Sequence, residues 1–101
     1  MQPKALRLLG LARRAGQLAC GVDAVILAAG RAKLILLAND AGNSARREAE
    51  RLGKQIIVLP YNKEVLGRAA GMRTCAIAAV IDEAFSRGVS AALSDDKNGG
   101  T

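Results

Sequence analysis

Lys33-Leu34-Ile35-Leu36-Leu37-Ala38-Asn39-Asp40 is the stretch on which the fold turns. It is an unbroken apolar run of strand length, closed by the turn chemistry of Asn39-Asp40-Ala41-Gly42. Such a run predicts a central strand buried on both faces, not one that alternates between core and water. A strand of that kind needs helices above and below it.

The flanking sequence supplies them. Gly21 opens a helix over about Val22 to Ala29 that Gly30 closes, and Asp23 near its start complements the helix dipole. A short strand, Gln17 to Cys20, precedes it. The first helix spans about Pro3 to Ala15 and ends at Gly16. Pro3 suits its first turn, where a missing N–H would be unpaired anyway. Ala5, Leu8, Leu9 and Ala12 form its buried stripe, and Lys4, Arg7 and Arg14 lie close together on another face.

On the C-terminal side, Asn43 or Ser44 caps a third helix running to about Leu52, with Gly53 at its end. Gln55 to Leu59 is a β-branched strand stopped by Pro60. A fourth helix covers about Lys63 to Ala70 and ends at Gly71. Cys75 to Ile81 is a fourth strand, and a last helix runs from about Asp82 to Leu93. Strands alternating with helices predict an α/β fold, a three-layer α/β/α sandwich with a four-stranded mixed sheet. Residues 1–93 are expected as one domain, and the polar, Gly-rich stretch 94–101 as a flexible tail.

Charge narrows the function. The 101 residues hold 15 Lys and Arg against 9 Asp and Glu, a net charge of +6, with no His and only Tyr61 and Phe85 as aromatics. A small basic body points to a polyanion, with RNA the expected one. So few rings mean that base stacking is not the main means of binding. The absence of His and the sparse polar chemistry argue against an enzyme. No phosphate-binding Gly-x-x-x-x-Gly-Lys-Ser/Thr loop occurs, and Gly10 and Gly16 do not make a dinucleotide fingerprint, so no cofactor is expected. Cys20 and Cys75 sit among small apolar residues and read as core filler. Without a Cys-x-x-Cys spacing or a His there is no metal site to expect, and the thiols fit a cytoplasmic setting. Met1-Gln2-Pro3-Lys4 is not a signal-peptide start, and Cys75 to Ile81 is too short for a bilayer, so no membrane association is expected.

Several constellations carry candidate chemistry, each with a plain reading beside it. Gly21-Val22-Asp23, where a strand turns into a helix, reads as a turn glycine with a helix-start acid, or as a backbone that RNA approaches closely. Asn39-Asp40 follows the central strand, where α/β sheets gather ligands, yet it also reads as an Asx-turn. Met72-Arg73-Thr74 is a short loop whose Arg73 suits a phosphate or base edge, or is a solvated connector. The other cations, Arg31, Lys33, Arg46, Arg47, Arg51, Lys54, Lys63 and Arg68 among them, are dispersed along the chain, much of them solubilising surface. Arg46, Arg47 and Arg51 alternate with Glu48 and Glu50, the pattern of an exposed, salt-bridged helix.

Three stretches carry a resemblance. They are Leu8-Leu9-Gly10-Leu11-Ala12-Arg13-Arg14-Ala15-Gly16, then Gly30-Arg31-Ala32-Lys33-Leu34-Ile35-Leu36-Leu37-Ala38-Asn39-Asp40-Ala41, then Asn62-Lys63-Glu64-Val65-Leu66-Gly67-Arg68-Ala69-Ala70-Gly71. In this order the chain resembles the kink-turn RNA-binding ribosomal-protein family, the large-subunit "L-seven-Ae" type, especially its small bacterial branch. The resemblance implies an α/β/α sandwich that binds RNA helices bent by a bulge beside tandem G·A pairs. It implies that Gly21, Val22 and Asp23 occupy the segment that reads the G·A edges, in a groove that the kink widens beyond ordinary A-form geometry. It places Met72, Arg73 and Thr74 in the loop that packs on the extruded nucleotide, and Lys63 at a basic position beginning the fourth helix. The family's Gly-x-Asn-Glu-x-x-Lys reads here Gly21-Val22-Asp23-Ala24-Val25-Ile26-Leu27. An amide donor, an acceptor and a phosphate-neutralising charge are thereby replaced.

The expected protein is a non-catalytic, monomeric clamp on structured RNA, an rRNA or mRNA element, associated with the ribosome. Arg14, Arg31 and Lys63 supply positive potential, with Gly21, Val22, Asp23, Asn39, Asp40, Met72, Arg73 and Thr74 completing the expected RNA-binding set. The alternative is a ribosome-assembly or interaction protein that keeps the fold without kink-turn specificity.

Overall fold

The computed structural model describes residues 3–99. Its elements are α1 (Lys4–Arg14), β1 (Leu18–Cys20), α2 (Val22–Ala28), β2 (Leu34–Leu37), α3 (Asn43–Arg51), β3 (Ile56–Val58), α4 (Lys63–Ala69), β4 (Ile77–Val80) and α5 (Glu83–Gly99). A single 3-10 turn, Ala29–Arg31, links α2 to β2. The sheet order is β1-β4-β2-β3. β4 pairs antiparallel with both β1 and β2, whereas β2 and β3 run parallel. The expected mixed, four-stranded sheet is therefore present among the described residues.

The two inner strands are buried on both faces, and their side chains divide between two cores. Leu34 and Leu36 of β2 join Ala78 and Val80 of β4 under α1, α4 and α5, in a cluster with Leu9, Leu66 and Val89. Ile35 and Leu37 point the other way with Ile77 and Ala79, and meet Val25 of α2 and Ala45 and Ala49 of α3. This is the three-layer sandwich that the apolar run demands: period-two alternation sends successive apolar residues to opposite sides, and each side has its own helical cover. β3 is the sheet's edge and is only partly buried, with Val58 exposed.

Several local expectations shift. Leu6, not Leu8, completes the fully buried stripe of α1 with Ala5, Leu9 and Ala12, and Leu8 is half-buried against the same core. The reason is that α1 packs on both α4 and α5, so its apolar face is wider than one stripe: Leu6 lines the α1–α4 groove, and Leu8 lies against Gly88 of α5. Neither Asn43 nor Ser44 caps α3: the cap position is Gly42, without a side-chain hydrogen bond. α4 does carry such a cap, as Asn62 Oδ1 accepts from the Val65 N–H at 2.9 Å. Asp82 plays the same part for α5, accepting from the Phe85 N–H at 3.1 Å. That last helix runs to Gly99, beyond the expected end at Leu93, so helical backbone covers most of the stretch read as a tail. Gly100 and Thr101 lie outside the described residues. No helix among the described residues is long and apolar enough to cross a membrane.

Candidate nucleic-acid interface

One end of the sheet gathers most of the segments singled out in the sequence. The Gly21 N–H donates to Ile77 O at 2.9 Å, which ties the end of β1 to the start of β4. In the same layer the Ala38 N–H donates to Ala76 O at 2.9 Å and the Asn39 N–H to Tyr61 O at 2.8 Å. Asp40 then reaches across: its Oδ1 accepts from the Lys63 N–H at 2.9 Å. The Lys63 carbonyl in turn accepts from the Cys75 N–H at 3.0 Å. A chain of hydrogen bonds thus connects the β2–α3 turn, the start of α4 and the end of the Met72–Thr74 loop.

Gly21 has φ +91°, a backbone conformation that L side chains rarely adopt, and a Cβ built there meets nothing within 4 Å. The turn therefore needs glycine for its conformation, and the space beside it is open. Asp23 is exposed at the start of α2, while Val22 is half-buried against the α2–α3 core. Leu27, one helical turn beyond Asp23, is 85% exposed.

The Met72–Thr74 loop folds back along α4 because Gly67 lets it. A Cβ at Gly67 would stand 2.6 Å from the Thr74 Cα and 2.8 Å from its backbone N and C. The loop backbone lies directly on the helix, and together they form an open cradle lined by Glu64, Arg68, Met72, Arg73 and Thr74. Met72 is 45% exposed there, an apolar surface beside two guanidinium groups. The sequence reading did not single out Gly67 for this role. The signal available was a glycine in the interior of a short helix, a costly choice unless another backbone must come close.

Asp40 also acquires a definite task. Its carboxylate holds the first residue of α4, so it positions Lys63 whatever else it contacts. Asn39 is exposed beside it. Arg31 is not part of this end. It sits in the turn leading into β2, whose first residue Leu34 pairs with Val80 at the opposite end of the sheet from Gly21. Arg14 lies on α1, around a separate groove of ≈ 380 Å³ between α1 and α4 that Arg7, Arg13 and Arg68 also line. The cations are thus less dispersed than their spacing along the chain implies. α3 keeps to expectation more closely: Arg51 pairs with Glu48 at 3.5 Å, although Arg46 Nε donates to the Ala41 carbonyl at 3.0 Å instead of to an acid.

Both cysteines are free, and they stand together behind the Gly21 turn. The Cys75 thiol donates to the Ile77 carbonyl at 3.2 Å, and its nearness, with burial, pushes Cys20 far above the usual thiol range. Cys75, stabilised as a thiolate by the Cys20 thiol, is drawn down to about 7. Among the described residues no group of His, Cys, Asp and Glu could hold a metal ion.

The comparisons with known proteins agree with this architecture. The model of the family described as "Ribosomal protein L7Ae/L30e/S12e/Gadd45 family" matches residues 4–89. A solved protein of unknown function from Bacillus halodurans is 33% identical, with a TM-score of 0.80 over 92% of this chain and 99% of that one. The Giardia lamblia 15.5kD RNA binding protein has the same fold at 18% identity, with a TM-score of 0.67 over 94% of this chain and 86% of that one. No curated protein matches the chain.

Proposed function

The chain belongs to the ribosomal protein L7Ae/L30e/S12e/Gadd45 family, and from that premise we propose that it is a non-catalytic RNA-binding protein that clamps a bent, kink-turn-like element. The observation that carries this reading is the convergence of Gly21–Asp23, Asn39–Asp40, Lys63 and the Met72–Thr74 loop at one end of the sandwich. The open space beside Gly21 admits a nucleic-acid backbone or base edge. Asp23 accepts from guanine imino or amino groups, since a carboxylate has no donor to offer. Met72 packs on an extruded base, and Arg73 and Lys63 neutralise phosphate. The RNA-binding description of the Giardia relative supports the same class of ligand. We place the protein on structured RNA of the ribosome or of an mRNA, as a cytoplasmic monomer.

Asp23, Ala24 and Leu27 set its character. With no amide donor at position 23, no acceptor at 24 and an exposed leucine at 27, side-chain readout of G·A pairs is poorer and electrostatics carries more of the affinity. Leu27 and Ile26, both exposed on α2, also favour the second reading, in which this face meets protein during ribosome assembly. The test is filter binding of a kink-turn RNA against the same RNA with its G·A pairs replaced by Watson–Crick pairs. Weak discrimination, a steep salt dependence, and sharper discrimination by Asp23→Asn with Ala24→Glu are expected. A good bidentate base contact is worth ~1–3 kcal/mol, enough to register. A several-hundredfold preference in the unaltered protein at physiological salt would assign the reading to backbone amides and the loop. Equal binding of both RNAs by all variants would remove kink-turn recognition altogether.

A further inference from the structure

The groove between α1 and α4 is the feature that this reading leaves unused. Arg7, Arg13, Arg14 and Arg68 surround it, and no carboxylate lines it. It exists because its floor is small: a Cβ at Gly10 would only just touch the Ala69 carbonyl, at 3.7 Å. The ion pairs among the described residues, Arg51–Glu48 and Arg87–Glu83, involve none of the four arginines. α1 carries Lys4, Arg7, Arg13 and Arg14 and no acid, in a chain whose net charge is only +6. Most of the excess positive charge therefore resides on one helix.

The structure itself has limited use for this gathering. Arg13 and Arg14 lie in the last turn of α1 and Arg68 in the last turn of α4, where the helix dipoles favour cations. That accounts for a cation at each helix end but not for their meeting around one groove, and it does not apply to Arg7 near the start of α1, where the dipole disfavours a cation. Arg13 also lies across the end of α4, against Gly71, so the two helices hold the guanidinium groups as a set. Like charges brought together without an acid repel one another, and a bound anion relieves that repulsion.

We propose that this groove is a phosphate track that grips the backbone of the bound RNA outside the bent segment. The proposal rests on the RNA-binding reading above and extends it to a second surface. Three observations select RNA backbone over other polyanions. Arg68 lines both the groove and the Met72–Thr74 cradle, so the two surfaces are continuous and one strand can pass from one to the other. All four cations are arginines, whose planar forks match phosphate oxygens two at a time. No aromatic side chain lines the groove, which suits backbone contact without sequence readout.

The experiment compares a minimal kink-turn RNA with the same RNA carrying a lengthened flanking stem, titrated against the unaltered protein and an Arg7→Gln/Arg14→Gln variant. Both residues are exposed on α1, and circular dichroism checks that the helix content is retained. For the long-stem RNA the variant should bind about tenfold more weakly, with a salt slope shallower by about two, close to one unit for each lost phosphate contact. Affinity for the minimal RNA should fall far less, and the preference for G·A over Watson–Crick pairs should hold. Arg7→Lys/Arg14→Lys should recover most of the salt slope. A variant that keeps the full affinity and slope on the long stem overturns the proposal and leaves the groove to an acidic protein. An equal loss on both RNAs also overturns it, because the groove would then act on the bent segment. Should the protein prove indifferent to G·A pairs while the variant still loses slope on the long stem, the specificity reading fails and the track stands.

Discussion

Two glycines in helix interiors should respond to alanine in opposite directions. Gly67 and Gly10 lie in α4 and α1, and propensity alone favours alanine at either by about 0.5–1 kcal/mol. At Gly10 the new Cβ would sit 3.7 Å from the Ala69 carbonyl oxygen, an ordinary contact, so Gly10→Ala should stabilise by about that amount. At Gly67 it would sit 2.6 Å from the Thr74 Cα and 2.8 Å from the neighbouring backbone atoms. Ordinary contact begins near 3.4 Å, so the loop must retreat by about 0.8 Å in a closely packed region. Overpacking of this kind costs ~1–3 kcal/mol. The retreat also pulls on the Cys75 N–H that donates to the Lys63 carbonyl, worth about 1 kcal/mol. After the propensity gain, a net loss of about 1–3 kcal/mol is expected for Gly67→Ala. Urea denaturation of both variants measures the pair, and amide chemical shifts of Met72 to Thr74 report the loop. Affinity for a minimal kink-turn RNA should fall with Gly67→Ala and hold with Gly10→Ala. A Gly67→Ala protein as stable as its parent, with those shifts unmoved, would refute the close-approach argument.

Leu36 is fully buried in the central strand, so Leu36→Ala should cost ~2–5 kcal/mol in chemical denaturation; an unchanged midpoint would contradict the strand's place in the core. Asp40→Ala should cost about 1 kcal/mol, as loss of a helix-start acceptor does, and should weaken RNA binding through Lys63, whereas Asp40→Asn keeps an acceptor and should do less. The cysteine pair should show one thiolate, not two, when the folded protein is titrated through pH 9.0, and two after denaturation. The sign follows from the two shifts. Cys75 releases its proton below the unfolded value, so its contribution to stability grows from pH about 7 up to 9.0. Cys20 holds its proton above that value, so stability falls as pH rises beyond 9.0. Thiolate absorbance and the pH dependence of the denaturation midpoint check both limbs, and Cys20→Ala should remove the upper one and weaken the lower, since the Cys20 thiol is the main cause of the Cys75 shift.

Much of the fold was legible because local rules and global packing agree. Leu34 to Leu37 can only be a strand with two dry faces, and that single reading calls for two helical layers. Gly16, Gly53 and Gly71 end helices where expected, whereas the Asn62 cap of α4 was not singled out. The misreadings fall where tertiary contact decides. Leu6 is buried because α4 packs beside α1 on that side, and no periodicity within α1 announces a second helical neighbour. α5 outruns its expected end because residues 94–98 hold no glycine or proline to stop it.

For the candidate site the division is sharper. Residue types alone pointed to the class of ligand: an excess of arginine and lysine, with no histidine and almost no aromatic rings, points to a polyanion. They also determined that the segments 21–23, 39–40 and 72–74 lie at element ends, since glycine and Asx chemistry mark turns. Only the tertiary structure decided which ends meet. The register of β1 and β2 on β4 puts Gly21, Asp40 and Lys63 at one end of the sheet and sends Arg31 to the other. The crossing of α1 over α4 assembles Arg7, Arg13, Arg14 and Arg68 from positions up to sixty-one residues apart. Charge is a property of each residue and can be counted along a chain. An electrostatic surface depends on distances in space, and those are set by register and helix crossing, which no stretch of sequence carries on its own.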